Sequence, residues 1–320
     1  MTYARRPIAI FILLAFGVSW LIALPLWLGG GITSPLLPVL GLAMMATPAL
    51  AAIVVVFLVE RPAQRAQALG LRPVGRVPRF LGFLALGLFV PVLLVLQALI
   101  VGTLLGLYTP DLVSFSGFRE LLDQQLGGRR LPLPIGTLVA LQLASVLVAA
   151  FINAIPALGE ELGWRGWLLP QLLPLGTIPA LLISGLIWGL WHAPLVLLGY
   201  NYPGVPGWLG VILMVGMCTV VGAIFGWLRI RSGSIWPAAL AHGSFNASAG
   251  ISLLFSATGR PVDTAQTTIL GWTGWIVPAL LVVVLVSTGR FRPVRQKTTG
   301  PGSSDPRPVE PVNGEPTRRP

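Results

Sequence analysis

The chain has 320 residues, 55% hydrophobic and only 10% charged, where a soluble protein carries about 25% charge. That length would hold two soluble domains, but the composition excludes them and predicts an all-α polytopic membrane protein. The net charge of +11 forms no stripe or aromatic-interleaved patch, which excludes nucleic acid as a partner and leaves the lipid bilayer.

Eight apolar stretches come near the ~20 residues a spanning helix needs, at about 7–29, 36–59, 80–107, 141–172, 177–199, 208–229, 234–255 and 268–288. The first follows Arg5 and Arg6, yet its apolar run is too long for a signal peptide, so it reads as a retained anchor. Between the third and fourth stretches, the connection at 108–136 is long enough to include a short surface helix. Trp27, Trp208, Trp227 and Trp236 fall near span ends, where indole rings favour the interface. From residue 289 the chain turns rich in Pro, Gly, Ser and charge, which predicts a disordered tail. The basic cluster Arg290 to Lys297 is expected to rest on anionic headgroups.

Of the 21 basic residues, all but Arg119, Arg129, Arg130 and Arg260 fall on one side when both termini are placed inside. The positive-inside rule therefore predicts an integral protein of the plasma (inner) membrane with both termini cytoplasmic. The chain divides into N-terminal spans over 1–136, a chemically distinctive block over 137–256, a last span within 257–288 and the tail at 289–320. The single cysteine, Cys218, excludes a disulfide framework and a Cys-based zinc site, and reads as a small apolar residue within a helix.

Ionisable groups at membrane depth are expensive and mark cavities or working sites. The only two histidines, His192 and His242, both lie in long apolar segments. The fourth and fifth stretches form a hairpin turning at Leu173-Pro174-Leu175-Gly176, and Glu160 and His192 are equidistant from Gly176. If the helix continues through Glu160, the two side chains meet at one level. Glu161 and Arg165 are spaced i, i+4 with the acid first, the favourable order for a helical ion pair. Glu160 points about 100° away and is left without a local cation, free to act as a base. His242 and Asn246 share a helix face, with Ser244 and Ser248 nearby, while Asn153 sits two turns before Glu160 and could reach the same cavity. Trp164, Trp167 and Trp191 read as packing residues, and Tyr200 to Tyr202 as a short outer turn.

Three motifs in order resemble the CAAX prenyl protease and bacteriocin-processing (CPBP, or Abi) family of intramembrane endopeptidases. They are Glu160-Glu161-Leu162-Gly163-Trp164-Arg165, Trp188-Gly189-Leu190-Trp191-His192 and His242-Gly243-Ser244-Phe245-Asn246. The single departure is Trp188, where the family motif has phenylalanine; the aromatic wall is kept. The resemblance covers roughly 140–255 and implies peptide-bond hydrolysis by activated water, on a membrane-anchored or lipidated peptide or protein substrate. In one implied version Glu160 and His192 activate water while His242 and Asn246 donate to the oxyanion. In the other, a divalent metal such as zinc is held by Glu160, His192 and His242. The resemblance thus places Glu160, Glu161, His192, His242 and Asn246 at the catalytic site, with Arg165 in a structural ion pair. The alternative is a non-catalytic immunity or transporter-accessory protein using the cavity for binding. A secondary transporter with Glu160 as proton carrier is disfavoured, because no internal repeat is visible.

Overall fold

The computed structural model describes residues 5–127, 129 and 132–291. The tail beyond 291, Arg130 and the basic cluster from Arg292 to Lys297 lie outside the described residues.

The architecture is all-α, as the composition predicts, and among the described residues there is no strand. Five helical runs are long and apolar enough to cross a membrane: α1 (Arg5–Leu28), α2 (Leu37–Glu60), α3 (Val77–Leu104), α5 (Ile135–Leu175) and α7 (Gly207–Ser232). The chain is an integral membrane protein. The fifth, seventh and eighth expected spans appear as shorter helices, α6 (Thr177–Trp191), α8 (Trp236–Ser248) and α9 (Ile276–Ser287). Length and composition therefore support five spans and leave the count of eight unconfirmed.

Proline explains one of these shortenings. Pro194 has no N–H to offer the Leu190 carbonyl, and its ring crowds that carbonyl, so the helix that began at Thr177 stops at Trp191. His192 is its C-cap, and a separate turn, Ala193–Val196, follows. In the 108–136 connection, α4 (Ser116–Leu126) supplies the short helix the length suggested. It packs Phe118 against Val139 and Leu254. Ahead of it, Asp111 accepts from the backbone N–H groups of Val113, Ser114 and Ser116 and from the Ser114 hydroxyl. Those donors hold its carboxyl well below the usual carboxylate range.

The hairpin helix α5 runs unbroken for 41 residues and continues through Glu160. Directly after the double glutamate it widens into a π-helical stretch, Leu162–Leu168. Such widenings often accompany functional sites, because they change the phase of the side chains that follow. Two glycines let neighbours reach the backbone here: a Cβ on Gly163 would lie 2.5 Å from the Pro48 Cβ, and one on Gly166 2.6 Å from the Leu69 carbonyl oxygen.

α8 is packed between α5 and α3, and α6 lies along α7. The approach of α8 to α5 depends on Gly243, whose added Cβ would sit 2.5 Å from the Ala150 carbonyl oxygen. Small residues at such crossings are how membrane helices gain van der Waals contact in the absence of a water-driven force. We expect Gly243→Ala to lower stability by roughly 1–3 kcal/mol, the range for overpacking a tight interface. Gly250→Ala, where a Cβ meets nothing within 4 Å, is the control. Thermal unfolding of both variants in the same detergent checks this.

Candidate active site

The site forms where α5, α6 and α8 meet against α7. Arg165 Nη1 donates to Glu161 Oε1 at 2.6 Å, and both side chains are buried, 1% and 0% exposed. The expected i, i+4 ion pair is present even though the π-helical stretch begins between its partners. The same carboxylate oxygen also lies 3.0 Å from His242 Nδ1. An ionised carboxylate can only accept, so Nδ1 carries the proton and Nε2 faces away from the pair. Glu161 is thus more than a helical ion-pair partner: it connects α5 to α8 and fixes one imidazole.

His192 is fixed by a different acceptor. Its backbone N–H bonds to Gly189 at 3.2 Å, in a tightened last turn, so the Trp188 carbonyl does not receive the usual i+4 amide. The imidazole takes that place, with Nδ1 2.8 Å from the Trp188 oxygen. A carbonyl accepts only, so Nδ1 is again the donor, and in the neutral imidazole Nε2 then keeps a lone pair. Trp27 Nε1 donates to the Pro194 carbonyl at 2.9 Å and ties α1 to the turn behind this histidine. Cys218 is buried, as read from the sequence, but its Sγ lies 3.9 Å from His192 Nδ1 and borders the site.

Glu160 makes no direct hydrogen bond to His192. Its Oε2 accepts instead from the Trp188 indole Nε1 at 2.8 Å. The carboxylate and the His242 imidazole both lie within electrostatic range of His192. Equal spacing from the turn does bring Glu160 and His192 together, with Trp188 between them. That indole is the residue sequence reasoning undervalued. Its ring lies 5.8 Å from His192 and 5.3 Å from His242, and the Arg165 guanidinium sits 4.0 Å above it.

The remaining polar residues divide. Asn246 lies one turn beyond His242 on α8, only partly buried, and its side chain makes no hydrogen bond among the described residues. The Asn153 amide bonds back to Ala149 in its own helix, which removes it from the proposed cavity network. Ser244 donates to the Leu88 carbonyl and Ser248 to backbone oxygens of its own helix, so neither hydroxyl is free to attack. Trp164 packs edge-on against Phe11 and Trp191, as expected of packing residues, whereas Trp167 also donates to Glu60 at 3.0 Å. Tyr202 donates to the Leu270 carbonyl and Thr264 to that of Asn201, so the 200–202 turn also anchors the 264–270 segment. Trp227 is half-buried near the end of α7, and its indole nitrogen has no hydrogen-bond partner among the described residues.

The expected metal set Glu160, His192 and His242 does not assemble. Among the described residues no three His, Cys, Asp or Glu side chains converge at metal-ligand spacing. Glu160 is turned to the Trp188 indole and His242 is drawn to Glu161. Each imidazole taken singly has the orientation of a zinc ligand, with Nδ1 held by an acceptor and Nε2 open, but the third donor is not brought to them.

Residues 140–248 match the family model described as type II CAAX prenyl endopeptidase Rce1-like. That match spans about a third of the chain. The match extends from the first turns of α5 to the end of α8 and contains all three motifs, so it bears out the resemblance they carried. No curated protein matches the chain.

The buried carboxylate shared by Arg165 and His242 gives a direct test of the site's frame. Glu161→Gln keeps the shape and leaves a buried guanidinium uncompensated, which costs roughly 3–5 kcal/mol. We expect a markedly lower unfolding midpoint in detergent, whereas Asp123→Asn on the exposed face of α4 leaves it unchanged.

Proposed function

We propose that this protein is an intramembrane endopeptidase that hydrolyses a peptide bond of a membrane-anchored or lipidated substrate with a protein-activated water. The observation that carries the reading is the paired orientation of the imidazoles. His192 and His242 are each held at Nδ1 by an acceptor, and a buried carboxylate, Glu160, lies beside the indole between them. The match of residues 140–248 to an endopeptidase family model supports it.

In this reading water sits between Glu160 and the lone pair of His192 Nε2. Glu160 takes the proton as water attacks the scissile carbonyl, and it later delivers that proton to the leaving amine. His242, bonded to the Glu161 carboxylate, acts as imidazolium and donates from Nε2–H to the oxyanion. The Asn246 amide, uncommitted to any other partner, supplies the second donor. Each such donor is worth roughly 2.7–4 kcal/mol of transition-state stabilisation in other hydrolases. Arg165 neutralises Glu161, so the His242 charge is left facing the site. No step in this reading is routed through a metal.

The substrate reading follows the family description: a peptide ending in a prenylated cysteine, two aliphatic residues and a variable residue. Both termini cytoplasmic and residence in the plasma membrane remain the orientation that the basic residues favour.

The test is cleavage of a farnesylated quenched-fluorescence peptide of that form by purified protein in proteoliposomes. Wild type is expected to cut it, and Glu160→Gln and His242→Ala to lose at least a hundredfold in kcat/KM, by the magnitudes above. Equal cleavage by both variants would sink the proposal. A chelator added to the same assay should change the rate less than twofold; full inhibition reversed by zinc would restore the metal version.

A further inference from the structure

We infer that Trp188 is a positioning residue whose indole N–H aims the Glu160 carboxylate at the water it activates. The inference rests on the base role proposed for Glu160. The donor lies 2.8 Å from Oε2, and both side chains are 2% exposed. Among the described residues this is the only hydrogen bond recorded for that carboxylate. Phenylalanine, the residue at this place in the motif that the sequence resembles, has no N–H to give.

The indole cannot turn away from this task. Arg165 caps one face at 4.0 Å, and the rings of Phe225, His192 and His242 lie 6.2, 5.8 and 5.3 Å from it. Across α7, a Cβ on Gly222 would come 3.3 Å from the ring carbon Cε3, so only glycine leaves the indole its present space. One residue therefore sets both catalytic groups by separate means. Its side chain holds Glu160, and its carbonyl holds His192. A substitution at 188 deletes the first bond and leaves the second, because the backbone is unchanged.

Two replacements separate hydrogen bonding from packing. Trp188→Phe removes the N–H and part of the ring. Incorporating benzothienylalanine at 188 exchanges only the N–H for sulfur and keeps the bicyclic shape under Arg165. Both are expected to lower kcat about ten- to a hundredfold with KM within twofold, the size of one lost charge-assisted hydrogen bond. Full kcat in the sulfur isostere, with loss only in Trp188→Phe, would show that Trp188 acts by packing and would overturn the inference. Loss of cleavage in Glu160→Gln together with wild-type kcat in both 188 variants overturns this inference alone. Unaffected cleavage in Glu160→Gln overturns the base reading first. A second readout needs no turnover: the infrared carboxyl band that disappears in Glu160→Gln must shift in the sulfur isostere. A band that stays in place refutes the contact.

Discussion

The site depends on one buried carboxylate oxygen. Glu161 Oε1 receives Arg165 from its own helix and His242 from α8, and all three side chains are buried. Removing two or three charges from water is unfavourable unless they neutralise and hydrogen-bond one another. Here neutralisation and orientation are the same event. The arginine cannot leave without stranding the glutamate, and the glutamate cannot turn without releasing the histidine. Glu161 Oε2 has no partner among the described residues, which concentrates the demand on the single shared oxygen. Such a network stabilises little in net terms, but it admits few alternative arrangements, which is what a site with two free Nε2 atoms requires.

That network needs helices closer together than ordinary side chains permit. Gly243 brings α8 onto the backbone of α5, and Gly222 opens α7 for the Arg165 guanidinium, whose Nη2 would lie 2.5 Å from an added Cβ. Gly185 and Gly189 do the same between α6 and α7, where an added Cβ would meet Thr219 Oγ1 at 2.6 Å and the Val215 side chain at 2.8 Å. The glycines and the charged groups therefore form one design. Close backbone approach lets short polar contacts span helices, and those contacts give packed helices a fixed rotation.

Local periodicity was enough to read the parts of the site that lie on one helix. The i, i+4 spacing of Glu161 and Arg165 became an ion pair, and the uninterrupted α8 places His242 and Asn246 on one face. Equal distance from Gly176 also brought Glu160 and His192 into one region. What was not legible was the choice of partner across helices. His242 looked paired with Asn246 because only sequence neighbours can be compared, whereas its hydrogen bond goes to Glu161, 81 positions away. The break at His192 had a visible cause in Pro194, yet the consequence, a carbonyl released for the imidazole, appears only once the backbone is traced. The fifth span was overestimated in length for a related reason. Hydropathy measures apolar runs and does not register where a proline divides them.

Trp188 shows how a change that preserves shape can add chemistry. As an aromatic wall it is interchangeable with phenylalanine, and sequence reasoning weighed it that way. In the folded protein the extra ring carries a donor to Glu160, the glutamate of the adjacent pair that has no cation one helical turn away. A lone carboxylate in an apolar interior has two ways to be held: a cation, which would oppose its taking up a proton, or a neutral donor, which orients it at a smaller electrostatic penalty. A base must accept a proton during each turnover, so a neutral indole suits Glu160 for the same reason that a cation suits Glu161, whose task is to stay ionised. The two adjacent glutamates thus differ in function through the partners that neighbouring helices bring to them.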